Sequence, residues 1–302
     1  MSSTGDCVAM DECPGGGRVL PVILGTDGSS ASLNAARWAA YIAGALHAPL
    51  LVVHVLSLPG HRHASGARPW FHGPRLPDPD QVPDAAVVVR RTALIIGTCS
   101  APAVAEPATE IATGSATAVL VERSRRARML VVGAQTAFGE RRTGPTTTGV
   151  VARAYSPVAV WRGMPGHPIP RERPVVVAFD GSESTLPALV QGFELAEALG
   201  AGLEVVRPRW DMPGGRYGAA ALAPPAGIAR APAGMAREHP AVRSSETTVS
   251  GSPAHVLARR SATAQLLVVG DRRATGASVA PGPTVMFLLH HSKCPVLVCR
   301  PR

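Results

Sequence analysis

Val22-Ile23-Leu24-Gly25-Thr26-Asp27-Gly28-Ser29 returns 153 residues later as Val175-Val176-Val177-Ala178-Phe179-Asp180-Gly181-Ser182. A short apolar run closing on Asp-Gly-Ser predicts a buried strand that ends in a tight turn. The echo continues along the chain. Leu130-Val131-Val132-Gly133 returns 137 residues later as Leu267-Val268-Val269-Gly270, and Ser156-Pro157-Val158-Ala159-Val160 returns 138 later as Cys294-Pro295-Val296-Leu297-Val298. Three echoes in one order mean two copies of one domain. The shift falls from 153 to 137, so the first copy carries 16 extra residues between Asp27 and Val131.

A chain of 302 residues accommodates two such domains, each able to bury its own core. The expected division is a tail over 1–17, a first domain over 18–163, a linker over 164–173 and a second domain over 174–302. The tail, with Asp6, Asp11, Glu12 and three glycines, reads as flexible and unlike an export signal. Prolines 165, 168, 170 and 174 predict an extended linker. Hydrophobic residues at 46% and charged residues at 17% describe a folded chain. No apolar run approaches the roughly 18 residues of a membrane helix, so no membrane partner and a cytoplasmic location are expected.

The net charge of +9 raises nucleic acid as a partner. Against it, the cations are arginines scattered in pairs (Arg90-Arg91, Arg125-Arg126, Arg259-Arg260), Lys293 being the single lysine. The pairs fall late in predicted helices, where they suit the helix dipole, and few aromatics are present to stack on bases. Nucleic acid is therefore not expected. The five cysteines contain no C-x-x-C pair, and Cys294 and Cys299 read as small buried hydrophobes.

In the first copy, strands are expected at Val19–Gly25, Leu50–Val55, Ala108–Ala112, Met129–Gly133 and Val158–Arg162. Helices are expected after Ser29-Ser30, with Leu33, Ala36, Arg37, Ala40, Ile42 and Ala43 facing the core, then over Asp84–Cys99, Thr117–Arg128 and Thr148–Ala154. Prolines 59, 69, 74, 77 and 79 exclude regular structure from Leu58 to Pro83. The second copy repeats the order with strands at Pro174–Phe179, Leu203–Arg207, Leu266–Gly270 and Val296–Cys299, and a helix over Ser184–Leu199. Its middle, Arg209 to Pro240, is too rich in Gly, Pro and Ala to place a second helix. Alternating strands and helices predict an α/β fold of two tandem doubly wound domains, each a five-stranded parallel sheet with helices on both faces.

In such a sheet a ligand sits beyond the carboxyl ends of the strands, where the strand order reverses. That point gathers Asp27-Gly28-Ser29 with the loop that begins at Gly133, and the equivalent pair in the second copy. Glycine lets a backbone approach phosphate, and exposed amides at a helix start bind anions.

Both copies resemble universal stress protein domains, and the whole chain resembles a tandem member of that family. The resemblance rests on Asp27 and Asp180 with Gly-Ser after them, on Gly114-Ser115-Ala116 and Gly251-Ser252-Pro253-Ala254, on the Val-Val-Gly fourth strands, and on the closing His291-Ser292-Lys293-Cys294-Pro295-Val296. It implies an adenine nucleotide, ATP with Mg when bound. In the first copy it assigns that ligand to Asp27, Gly28, Val55, Gly133, Gly144, Thr146 and Thr147. In the second it assigns Asp180, Gly181, Gly270, Arg273, Gly282 and Thr284.

ATP-binding members carry G-x2-G-x9-G-[S/T] after the fourth strand, and both copies depart from it. Thr136 and Arg273 replace the second glycine, Gly144-Pro145 and Gly282-Pro283 replace the last step, and the loops are two residues and one residue short. Proline removes a hydroxyl and an amide donor there, while Thr146, Thr147, Thr148 and Thr284 offer hydroxyls nearby and Arg272 and Arg273 offer cations. Asp27 and Asp180 read equally as nucleotide contacts or as turn residues.

No G-x-x-x-x-G-K-[S/T], H-E-x-x-H or G-x-S-x-G motif occurs. His61, His63 and His72 read as a solvated loop more readily than as a metal site, and the resemblance implies that His290-His291 are packing and capping residues. The expected function is a non-catalytic binding or regulatory module in stress adaptation. The alternatives are a slow ATP-hydrolysing enzyme of the same fold, or a scaffold with two dead pockets. The apolar fifth strands are expected to be sheet edges that pair two chains, or the two copies within one chain.

Overall fold

The computed structural model describes residues 19–56, 84–99, 106–134, 143–162, 169–209, 226–271 and 280–300. The tail, the stretch from Leu58 to Pro83, Thr136, Arg272 and Arg273, and the first part of the linker lie outside the described residues.

The first copy runs β1 (Val22–Thr26), α1 (Ser30–Ala45), β2 (Leu50–Leu56), α2 (Ala85–Gly97), β3 (Ala108–Thr113), α3 (Ala116–Arg123), β4 (Met129–Gly133), α4 (Pro145–Arg153) and β5 (Val158–Trp161). The second runs β6 (Val175–Ala178), α5 (Leu186–Ala198), β7 (Leu203–Arg209), α6 (Ala226–Ala229), α7 (Ala231–Glu238), β8 (Ser244–Ser250), α8 (Pro253–Arg260), β9 (Leu266–Gly270), α9 (Pro283–His291) and β10 (Val296–Cys299). α6 and α7 lie in the region where the sequence places no helix.

The ten strands form one sheet in the order β3-β2-β1-β4-β5-β10-β9-β6-β7-β8. Neighbours are parallel within each copy. The copies meet antiparallel at β5 and β10, with Ala159 opposite Leu297. The fifth strands are thus the centre of the sheet and not its edges, and the pairing is made inside one chain. Their residues are buried on both faces, as expected of strands covered by helices on either side. The edges are β3 and β8: β8 exposes Ser, Glu and Thr side chains along most of its length, while β3 exposes Thr109 and Thr113 together with Ala108 and Ile111. The polar edge at β8 discourages further strand addition.

The core is shared between the copies. On one face a single buried cluster contains Trp38, Val131 and Trp161 of the first copy with Phe193, Val268 and Leu297 of the second. On the other face Val150 and Val160 join Leu267, Leu288 and Val296. Polar contacts cross the junction too. Arg162 donates to the carbonyls of Leu289 and His290, the last turn of α9, and Thr143 Oγ1 donates to Leu289 O at 3.0 Å. The α9 terminus is therefore capped by an arginine from the other copy. The helix's own His291 instead stacks on Phe287 at 4.2 Å.

Several local expectations change. Arg37 is exposed, while Ala35, Trp38 and Ala39 are buried, giving α1 a wide small-residue face. Arg90-Arg91 lies in the middle of α2, not its last turn, so the helix dipole does not explain that pair. The end of the linker turns instead of extending: Arg173 N–H donates to Pro170 O at 3.1 Å, and Gln265 Nε2 holds the carbonyls of Arg171 and Arg173. α3 stops at Arg123 and tightens into a 3-10 turn over Ser124–Arg126. α4 begins three residues before the expected Thr148, because Pro145 occupies its first turn behind Gly144.

Burial fixes the behaviour of two thiols. Cys294 is 3% exposed and its pKa is pushed up to about 12, chiefly by desolvation; Cys299 is fully buried and is raised likewise. At pH 8 only about one Cys294 in ten thousand is thiolate, the reactive form. Brief labelling with iodoacetamide, read by peptide mass spectrometry, should leave Cys294 and Cys299 unmodified in the native chain and modify both in urea. Labelling of either thiol at an unfolded-like rate in the native chain would refute this burial.

Candidate functional site

The reversal of strand order falls between β1, which is followed by β2 on one side, and β4 on the other. Asp27 and Gly28 leave the end of β1 there, and Gly133 closes β4 beside them. Gly28 has φ +79 and Gly181 φ +83, a left-handed backbone that favours glycine. In each copy the preceding aspartate closes an Asx turn: Ser29 N–H donates to Asp27 Oδ1 at 3.0 Å, and Ser182 N–H donates to Asp180 Oδ1 at 2.9 Å. Both aspartates thus have turn roles, and both side chains remain exposed. The pairing of Thr26 with His54 brings Val55, half-buried in β2, level with Asp27.

Gly133 and Gly270 serve packing first. A Cβ on Gly133 would lie 3.1 Å from the backbone of Ala31 and Ser32, and one on Gly270 would lie 2.6 Å from Ser184 O. These glycines let the start of the first helix of each copy rest on the end of the fourth strand. Neither is held open for a ligand by the geometry alone.

The second half of the site is the start of α4. Gly144 is its N-cap, with φ −68 and ψ 162, and Pro145 occupies the first turn. A proline at the first helical position gives up an amide that has no partner within the helix. The substitution therefore removes one donor without spoiling the helix start, and Thr146 and Thr147 follow with their amides. Thr147 Oγ1 donates to Gly133 O at 2.9 Å, which ties the α4 start to the β4 end. Thr148 Oγ1 bonds Gly144 O at 3.1 Å, so this hydroxyl is committed to the helix. In the second copy Gly282 caps α9, Pro283 stands in its first turn and Thr284 follows. Arg273, assigned to this loop, lies outside the described residues.

The two crevices differ in residues the motif does not flag. Thr26 ends β1 as part of a buried hydroxyl cluster, 3.1 Å from Ser32 Oγ and 3.4 Å from Thr92 Oγ1, and Thr26 O accepts from His54 Nδ1 at 2.8 Å. At the matching places the second copy has fully buried Phe179, with the Arg207 guanidinium 4.8 Å from its ring centroid. Immediately after the fourth strand the first copy has Ala134 and the second has Asp271. Their amides make the same bond, to Trp161 O at 3.1 Å and to Cys299 O at 2.9 Å. The 137-residue offset already aligned the pair, yet composition gave no reason to single it out. Among the described residues, no group of three or more His, Cys, Asp or Glu side chains could hold a metal ion.

A duplicated, doubly wound sheet with a glycine turn and a helix start at its switch point defines a tandem α/β protein whose ligand position would lie at the carboxyl ends of its strands. The universal stress protein family profile matches residues 20–162 and again 172–300. Among known proteins, one universal stress protein of Mycobacterium tuberculosis is 30% identical over 308 residues, covering 94% of this chain and 98% of its own. Another from the same organism is 29% identical over 294 residues, covering 92% and 96%. The chain belongs to the universal stress protein family and carries its domain twice.

Solved structures agree on the fold. A universal stress protein from Archaeoglobus fulgidus DSM 4304 superimposes with a TM-score of 0.65 at 19% identity, over 93% of this chain and 98% of its own. The cytoplasmic domain of a prokaryotic cation chloride cotransporter does so with a TM-score of 0.52 at 9% identity, over 94% and 96%. At that distance only the architecture is shared.

Proposed function

We propose that the chain is a non-catalytic regulatory module of stress adaptation, acting in the cytoplasm by binding an adenine nucleotide, ATP with Mg, at the switch point of its first copy. The observation that carries this reading is the bond from Thr147 Oγ1 to Gly133 O, which holds the start of α4 against the end of β4. Amides at that helix start suit a phosphate chain. Asp27 supplies an exposed carboxylate on the neighbouring loop, of the kind that holds Mg beside phosphates. Among the described residues Asp27 accepts from Ser29 alone, so its second oxygen is available to a ligand. The reading treats 18–163 and 174–302 as two domains that act as one body, because their cores and sheet are continuous. No helix among the described residues is long and apolar enough to cross a membrane.

Calorimetric titration of the full chain with ATP, with and without Mg, tests the reading. Saturable binding without phosphate release is expected, and Asp27→Ala should weaken it about tenfold, the order of one lost charged contact. Phosphate release that disappears in the same variant would make the chain a slow ATPase. Heatless titration up to millimolar ATP would leave a scaffold with closed pockets.

A further inference from the structure

The second copy carries its own anion. Asp271 is 1% exposed, and its Oδ1 accepts the N–H of Gly282, the N-cap of α9, at 3.3 Å. The same oxygen stands 3.1 Å from where a Cβ on Gly282 would be, so the carboxylate lies directly over the helix start. A carboxylate there interacts favourably with the helix amides and dipole, as a phosphate would. In the first copy the equivalent backbone position is Ala134, buried and ending in a methyl group that accepts no hydrogen bond.

Two independent features point the same way. Asp180 is further committed than Asp27, since its Oδ1 also accepts from Ser182 Oγ at 2.6 Å and Thr185 Oγ1 at 3.2 Å. Phe179 fills with an aromatic ring the place that Thr26 lines with a hydroxyl.

We infer that Asp271 is a built-in substitute for the ligand's phosphate in the second copy, so that the duplicated chain holds one nucleotide, in the first copy. The inference rests on the nucleotide reading above and adds to it the stoichiometry, the copy and the residue responsible. The physical cause is simple. A phosphate entering at α9 must displace a buried carboxylate from its amide or sit beside it as a like charge. At about 5 Å and an effective dielectric near 20, that repulsion alone weakens binding on the order of 100-fold.

The experiment is an ATP–Mg titration of the full-length chain with the variants Asp271→Ala, Asp271→Asn and Ala134→Asp, each first checked for a cooperative urea transition. The wild-type chain should bind one equivalent, Asp271→Ala two, and Ala134→Asp none. Asp271→Asn, which keeps the acceptor without the charge, should recover part of the second site and guards against a loss of fold in the alanine variant. Two equivalents in the wild type, or one in both Asp271 variants, would overturn the inference while leaving nucleotide binding intact. No binding in the wild type with one equivalent in Asp271→Ala would overturn the first-copy reading and leave Asp271 as the block. No binding in any variant would overturn both.

Discussion

Replacing Trp38 with alanine should lower the unfolding free energy by about 3–5 kcal/mol, the usual cost of emptying a large buried aromatic site. Trp38 is 1% exposed on α1, and its ring lies 6.5 Å from that of Trp161, tilted by 44°. Trp161 in turn ends β5, the strand through which the copies join. The cavity would therefore open in the cluster both copies share, where the covering helix and the sheet cannot easily collapse together. Leu94→Ala, at a leucine 65% exposed, should change stability by less than about 0.5 kcal/mol. Urea denaturation followed by tryptophan fluorescence measures the difference. Cys299 labelling across the same urea range reports the second copy, and the two curves should coincide in both wild type and variant. A loss below about 1.5 kcal/mol, or a first copy that melts ahead of Cys299 exposure, would show the cores to be separate.

How much of this was legible in the sequence depended on what each residue had to do. Strands buried on both faces announce themselves, because Leu130-Val131-Val132 and Leu267-Val268-Val269 must be apolar throughout. The edge strand β8 did not, since Ser244-Ser-Glu-Thr-Thr-Val-Ser250 meets solvent along most of its length and carries no apolar period. Pairing of the fifth strands was foreseen, but whether it joined two chains or two copies depends on long-range geometry that no local pattern encodes. At the site, counting against a family spacing made Pro145 and Pro283 look like losses. The asymmetry of helix ends explains them better, as both stand where an amide has no partner to lose. The role of Asp271 stayed hidden for another reason. Its meaning lies in the amide of Gly282, eleven residues away, and a lone aspartate after a strand gives no sign of where its carboxylate turns.

Leu297→Asp should be the most damaging single change at the junction. Leu297 is fully buried, paired with Ala159 across the antiparallel seam and with Val268 on the parallel side. A carboxylate there enters the apolar cluster common to both copies, whose members offer nothing to offset its desolvation. The chain must either bury a charge or protonate it, and cost above about 4 kcal/mol is expected for such a site. The consequence reaches beyond β10. If its pairing with β5 is lost, the four buried residues Val158–Trp161 become an open apolar edge, the kind that recruits another chain. The variant should therefore unfold at much lower urea and elute as larger species in size-exclusion chromatography. Leu297→Met, close in volume and apolar, should stay within about 1.5 kcal/mol of wild type and remain in the wild-type peak. An aspartate variant that kept wild-type stability and elution would mean that the seam is a contact between two self-sufficient sheets and not the centre of one.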